Sequence, residues 1–198
     1  ESAIQPIEVT FTNTQNIVLA GSFWHTENSK SLCFIMTHGA ANDRTANGLF
    51  SALIPTLLRY GDVLNFDMSG HGKSQDAIFH LQHSANDVKA AIEFCKQQGY
   101  TDIILIGHSL GGYASLKAYE PCVKTTILIG ALSGAAPAQF SWENFCTPEQ
   151  MSTMQVTGYM TINCQGSTKE SVNYRADYAP ETQKINQQEL ISNSKAPI

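Results

Sequence analysis

The chain has 198 residues, a formal net charge of −5 and only 15% charged residues with no basic run, so it carries no electrostatic footprint for nucleic acid or an anionic membrane surface. No apolar segment approaches the roughly twenty residues that span a bilayer. The length suits one domain with a modest insertion better than two full domains.

In chain order, Glu8 to Thr12 and Ile17 to Trp24 read as an antiparallel pair joined by a turn at Asn13 to Asn16. The runs at 32–37, 62–67, 102–107 and 125–130 are continuous rather than alternating in their apolar residues, the mark of parallel strands covered on both faces. Between them, Leu49, Phe50, Leu53, Leu57 and Leu58 recur at helical spacing, with Pro55 expected to kink the helix or start its second part. Ser84 to Asp87 resembles a capping box ahead of Val88, Ala91, Ile92 and Cys95, and Gly99 closes that helix. A helix-like stretch from Gly112 to Tyr119 ends at Glu120-Pro121. Strand and helix thus alternate, as a parallel sheet with crossover helices requires. From Ala135 the period is lost in a stretch rich in aromatic residues and Met, including Phe140, Trp142, Phe145, Met154 and Met160. A polar helix-like segment from Glu181 to Ser192 then follows.

Gly107-His108-Ser109-Leu110-Gly111 sits between the apolar run 103–106 and the helix-like stretch. In that context Gly-x-Ser-x-Gly displays a nucleophilic serine on a sharp turn. Gly107 and Gly111 are needed where backbone packs on backbone. A phosphate loop would end in Lys followed by Ser or Thr, which this turn lacks. His38-Gly39-Ala40-Ala41-Asn42 ends an earlier apolar run, and Gly39 lets the Ala40 N–H turn towards Ser109. With the Leu110 N–H it would make a pair of oxyanion donors, at a helix start whose dipole favours negative charge. Ser109 is expected at the mouth of a cavity.

With the third segment, Asp67-Met68-Ser69-Gly70-His71-Gly72-Lys73-Ser74, the chain resembles the alpha/beta-hydrolase superfamily, and within it the small-cap serine esterases, lipases and acyl hydrolases. The resemblance implies an α/β fold, a mostly parallel doubly wound sheet with a small cap insertion. It implies a core over 1–134, a cap-like insertion and return segment over 135–191, and the start of a further core strand over 192–198. It implies Ser109 as nucleophile of a carboxylic-ester hydrolase acting through an acyl-enzyme, Ala40 and Leu110 as oxyanion donors, and His38, Gly39, Gly107, His108 and Gly111 as supports. It gives Asp67 a structural role, and His38 and His71 bracing roles in their loops. The substrate is then a small-molecule ester or acyl compound, with no metal and no organic cofactor. A thioesterase, amidase or peptidase on the same machinery is the alternative within enzymes, and a noncatalytic binding module the alternative outside them.

In that superfamily an acid and then a histidine follow the nucleophile. The six histidines, at 25, 38, 71, 80, 83 and 108, all precede Ser109. The expectation is a truncated hydrolase, short by about sixty to ninety residues of a single domain of this type and weak or inactive alone. Its C-terminal strands are missing, so a missing segment or a second copy would cover the strand at 125–130. Asp177 is read as a structural partner of Arg175.

Five cysteines, at 33, 95, 122, 146 and 164, have no Cys-x-x-Cys spacing, which argues against a metal knuckle or redox dithiol. The odd count points to reduced thiols and a cytoplasmic setting, with a Cys146 to Cys164 bridge as the alternative. Glu1 in place of Met leaves a removed leader, and a secreted or periplasmic setting, open.

Overall fold

Six strands build the main sheet of the computed structural model, which describes residues 4–26, 31–132, 141–144 and 146–198. They are β1 (Ile7–Thr12), β2 (Val18–Trp24), β3 (Leu32–Thr37), β4 (Asp62–Phe66), β5 (Asp102–His108) and β6 (Val123–Ile129). The spatial order is β1-β2-β4-β3-β5-β6. β1 and β2 enter antiparallel, and the pairs β3–β4, β3–β5 and β5–β6 are parallel.

The continuous apolar runs follow from covering both faces. Cys33 and Ile35 belong to a core shared with Val88, Ile92 and Leu110, whereas Phe34 and Met36 pack with Phe50 and Ile54 on the opposite face. Helices α2 (Ser84–Gln97) and α3 (Leu110–Lys117) therefore cover one side and α1 (Leu49–Leu57) the other. Pro55 lies inside an unbroken α1 on its exposed side, where Leu58 N–H still reaches the Ile54 carbonyl at 3.0 Å. Helix α3 begins two residues earlier than the sequence suggests, directly after Ser109.

β6 departs from the doubly covered pattern. Ile127 is 42% exposed, and among the described residues this strand has a ladder partner on one side only. On its other side the Pro197 carbonyl accepts from Thr126 N–H at 2.9 Å and from Thr125 Oγ1 at 2.7 Å.

The apparent capping box at 84–87 is not a cap. His83 is the N-cap residue, and Ser84 Oγ donates to the Leu81 carbonyl at 2.7 Å. The Asp87 carboxylate accepts from Ser69 N–H (2.8 Å), Ser69 Oγ (2.8 Å) and Asn13 Nδ2 (2.7 Å). It is drawn away from the helix start because two loops offer it three donors.

After β6 the chain forms α4 (Pro148–Thr157), a second, two-stranded antiparallel sheet of β7 (Tyr159–Asn163) and β8 (Ser171–Arg175), then α5 (Tyr178–Gln183) and α6 (Gln187–Ser192). Thr147 and Gln150 close a reciprocal capping box with Pro148 in the first turn, and Gly158 ends α4 at φ 78°. The period looks lost in the sequence because α4 buries only Met154. The boundary expected near 134 and 135, and Phe140 and Phe145, lie outside the described residues. All five cysteines are free. Cys146 Sγ lies 3.6 Å from Met160 Sδ rather than bridging Cys164, and the buried Cys33 and Cys95 thiols are 3.4 Å apart.

The Asp87 network gives a test against a capping role. Asp87→Ala strands a buried N–H and an amide and is expected to lower stability by about 1–3 kcal/mol. Ser84→Ala, which loses one bond within its own turn, is expected to change it less. Urea denaturation of both variants checks the order, which a capping box would make equal.

Candidate active site

Ser109 joins β5 to α3 with φ 52° and ψ −117°, a conformation that a residue with a β-carbon holds only at a cost of about 1–3 kcal/mol. Its surroundings fix it there. Ser109 N–H donates to the Ile129 carbonyl at 3.0 Å, and its own carbonyl accepts from Gly112 N–H (3.0 Å) and Leu132 N–H (2.9 Å). A β-carbon at Gly107 would sit 2.5 Å from the Gly111 carbonyl oxygen, and one at Gly111 would overlap the carbonyl of Thr37. The start of α3 is thus pressed against the ends of β3 and β5.

The loop after β3 meets this turn. A β-carbon on Gly39 would lie 3.2 Å from Ser109 Cβ and 3.1 Å from His108 Nδ1, so Gly39, His108 and Ser109 are in contact. Ala40 is exposed and Ala41 has φ 51°. The N–H groups of Ala40 and Leu110 have no acceptor among the described residues. The half-buried Ser109 hydroxyl likewise makes no hydrogen bond among the described residues, and Nδ1 of His108 is buried without a partner.

Two buried imidazoles hold the loops. His38 Nδ1–H donates to the Gly39 carbonyl at 2.7 Å, and its Nε2 accepts from Met68 N–H at 3.0 Å. His71 Nδ1–H donates to the Ser69 carbonyl at 2.9 Å. Its Nε2 then accepts from the Tyr174 hydroxyl at 2.7 Å, and that oxygen accepts from Ala41 N–H at 2.6 Å. Both rings are neutral tautomers fixed by two partners each. Burial depresses both pKa values below the ordinary histidine range, His71 strongly. Neither has a ring nitrogen left for Ser109. His25 bonds Asp62 and Tyr100, and His80 and His83 stack on each other at 4.3 Å. Asp67 is also fully used: it accepts from Arg44 N–H (2.7 Å) and Lys73 N–H (2.9 Å) and pairs with the Arg44 guanidinium at 3.3 Å. Arg175 pairs with Asp177 at 3.2 Å.

Tyr174, which ties the two loops together, is the residue that the sequence reading missed. Alternation of buried Val172 and Tyr174 within β8 was the available signal. Beside it lies a cavity of about 450 Å3 that Ala40, Ala41, Trp142 and Tyr178 also line. Ser109 is not among the described lining residues; the Gly39–Ala40 segment links the two. No group of three or more His, Cys, Asp or Glu placed to hold a metal occurs among the described residues, and no helix among them is long and apolar enough to cross a membrane.

The alpha/beta hydrolase family profile matches residues 18–171, more than half of the chain. No curated protein matches it. Among solved structures, the alpha/beta hydrolase GrgF from Penicillium sp. sh18 superposes with a TM-score of 0.72 at 15% identity, over 96% of this chain and 77% of that one. An esterase from Pyrococcus furiosus gives 0.63 at 21% identity over 77% of this chain in one crystal form, and 0.67 at 20% identity over 98% in another. These matches span 64% and 67% of the esterase chain.

The buried imidazoles make stability depend on pH. Unfolded histidine takes up a proton near pH 6.5, whereas the folded rings stay neutral, so protonation favours the unfolded chain. Their contribution is full above that value and is lost as pH falls below it. Urea denaturation between about pH 7.5 and 5.5 should show the loss, and His71→Gln should reduce it. Separately, Tyr174→Phe leaves Ala41 N–H and His71 Nε2 unpaired and is expected to destabilise by about 1–3 kcal/mol. Faster hydrogen exchange at the Ala41 amide accompanies that loss.

Proposed function

This chain belongs to the alpha/beta hydrolase family, and from that premise we propose that it is a serine hydrolase of carboxylic esters acting through an acyl-enzyme on Ser109. The observation that carries the reading is the backbone of Ser109, held at φ 52° between a parallel strand and a helix start. Backbone strain of this kind at a non-glycine residue clusters at active sites.

In the proposed reaction Ser109 Oγ attacks the ester carbonyl, and the carbonyl electrons move onto oxygen. Ala40 N–H and Leu110 N–H are the donors to that oxyanion, supported by the positive end of α3. Collapse expels the alcohol and leaves the acyl group on Oγ, and water then releases the acid. The serine proton must go to a base, and the alcohol must gain one. None of the six imidazoles bonds to Ser109, and those of His38 and His71 are each committed to two other partners. Proton transfer in this chain therefore falls to water, and turnover is expected to be slow. The same observation favours one second reading, a noncatalytic module that binds an ester or acyl compound.

The purified 198-residue chain is expected to react with p-nitrophenyl acetate at a rate typical of a site without its general base, about a thousand to ten thousand-fold over water. Mass spectrometry should find the acetyl group on Ser109, and Ser109→Ala should abolish the adduct while keeping whatever turnover the oxyanion donors alone supply. An equal acetyl adduct on the Ser109→Ala chain sinks the nucleophile. No turnover and no adduct in the parent protein favours the binding module.

A further inference from the structure

The cavity beside the Ala40–Ala41 turn has a lining with a definite chemical preference. Trp142, Tyr174 and Tyr178 are each less than a tenth exposed. Trp142 Nε1–H is donated to the Ala176 carbonyl at 2.7 Å, and the Tyr174 hydroxyl is shared between Ala41 and His71. These two rings present apolar area to the cavity, since their polar atoms are used elsewhere. The exposed lining residues include three carboxamides, Gln150, Asn163 and Gln165. Gln150 Oε1 accepts from Thr147 N–H at 2.8 Å, which leaves its amide nitrogen to donate. The carboxamides of Asn163 and Gln165 make no hydrogen bond among the described residues, so both can donate and accept. No Lys, Arg, His, Asp or Glu is among the described lining residues.

We propose that this cavity binds an uncharged ligand with a flat apolar body and a carbonyl or amide edge, the body against the rings and the edge at the carboxamides. That this ligand is the non-reacting part of an ester substrate rests on the reading of Ser109 as nucleophile; the binding preference does not. Aromatic walls favour a planar apolar group. An ion entering the site would lose its hydration without gaining a counter-charge, which disfavours both cations and anions. Carboxamides can satisfy a neutral carbonyl or amide without that penalty.

The chain has two tryptophans, Trp24 and Trp142, so its own fluorescence reports on the cavity. N-benzylacetamide, phenylacetate and benzylammonium share a ring and differ in charge. Titration of the full chain should give a saturable emission change with N-benzylacetamide, and binding at least about tenfold weaker for each ion. The change should persist in Trp24→Phe and vanish in Trp142→Phe. Asn163→Asp, an exposed and nearly isosteric change, should shift preference towards benzylammonium, and it keeps the test decisive if Trp142→Phe does not fold. Equal affinity for the three probes, no saturation, or an unchanged preference in Asn163→Asp overturns the proposal. Ser109→Ala should bind as the parent does. Intact binding without a Ser109 adduct removes the nucleophile alone, and an adduct without binding removes the cavity's role alone.

Discussion

The carbonyl of Thr37, at the end of β3, leaves no space for a side chain at position 111. That approach of a helix start to a strand end decides where every other part of the candidate site lies. It fixes the first turn of α3 and with it the direction in which Leu110 N–H points. It also forces the chain to reverse within one residue, and Ser109 takes the strain of the reversal. On the other side Gly39 fits against Ser109 only because it, too, lacks a β-carbon. Serine, donors and loop thus share one steric constraint.

Around this contact the protein buries polar groups by satisfying them rather than by avoiding them. Asp67 and Asp87 are each about 1% exposed, yet each accepts several backbone or side-chain donors. The two imidazoles are handled differently, being kept neutral with one donated and one accepted bond apiece. Such networks hold loops in one arrangement, because any displacement strands a buried donor or acceptor. The loops after β3 and β4 are therefore held by chemistry as specific as the packing of the sheet.

The fold was legible where one local rule acted alone. Cys33 to Thr37 and Asp62 to Phe66 read as covered strands because both faces of each are packed, and the glycines at 107 and 111 announced the turn because steric crowding has one remedy. Legibility failed where distant partners decided the outcome. Asp87 looks like a helix cap until Asn13 and Ser69, both remote in sequence, take its carboxylate. Alternation could mark Tyr174 as buried but not reveal its role, since its hydroxyl acts on Ala41, 133 positions away in the chain. Helix α4 escaped because it carries almost no apolar stripe, and the hairpin after it showed only the short alternation within β8.

The bond from Tyr174 to the turn at Ala41 also bears on modularity. An insertion that only roofed a pocket could be exchanged between relatives as a cassette, with the core indifferent to what replaced it. Here one hydroxyl from the second hairpin completes the hydrogen bonding of a loop of the main sheet and of a buried imidazole at once. A graft of another hairpin therefore needs to bring its own oxygen to that spot, or the Ala41 N–H in one loop and the His71 Nε2 in another lose their partner.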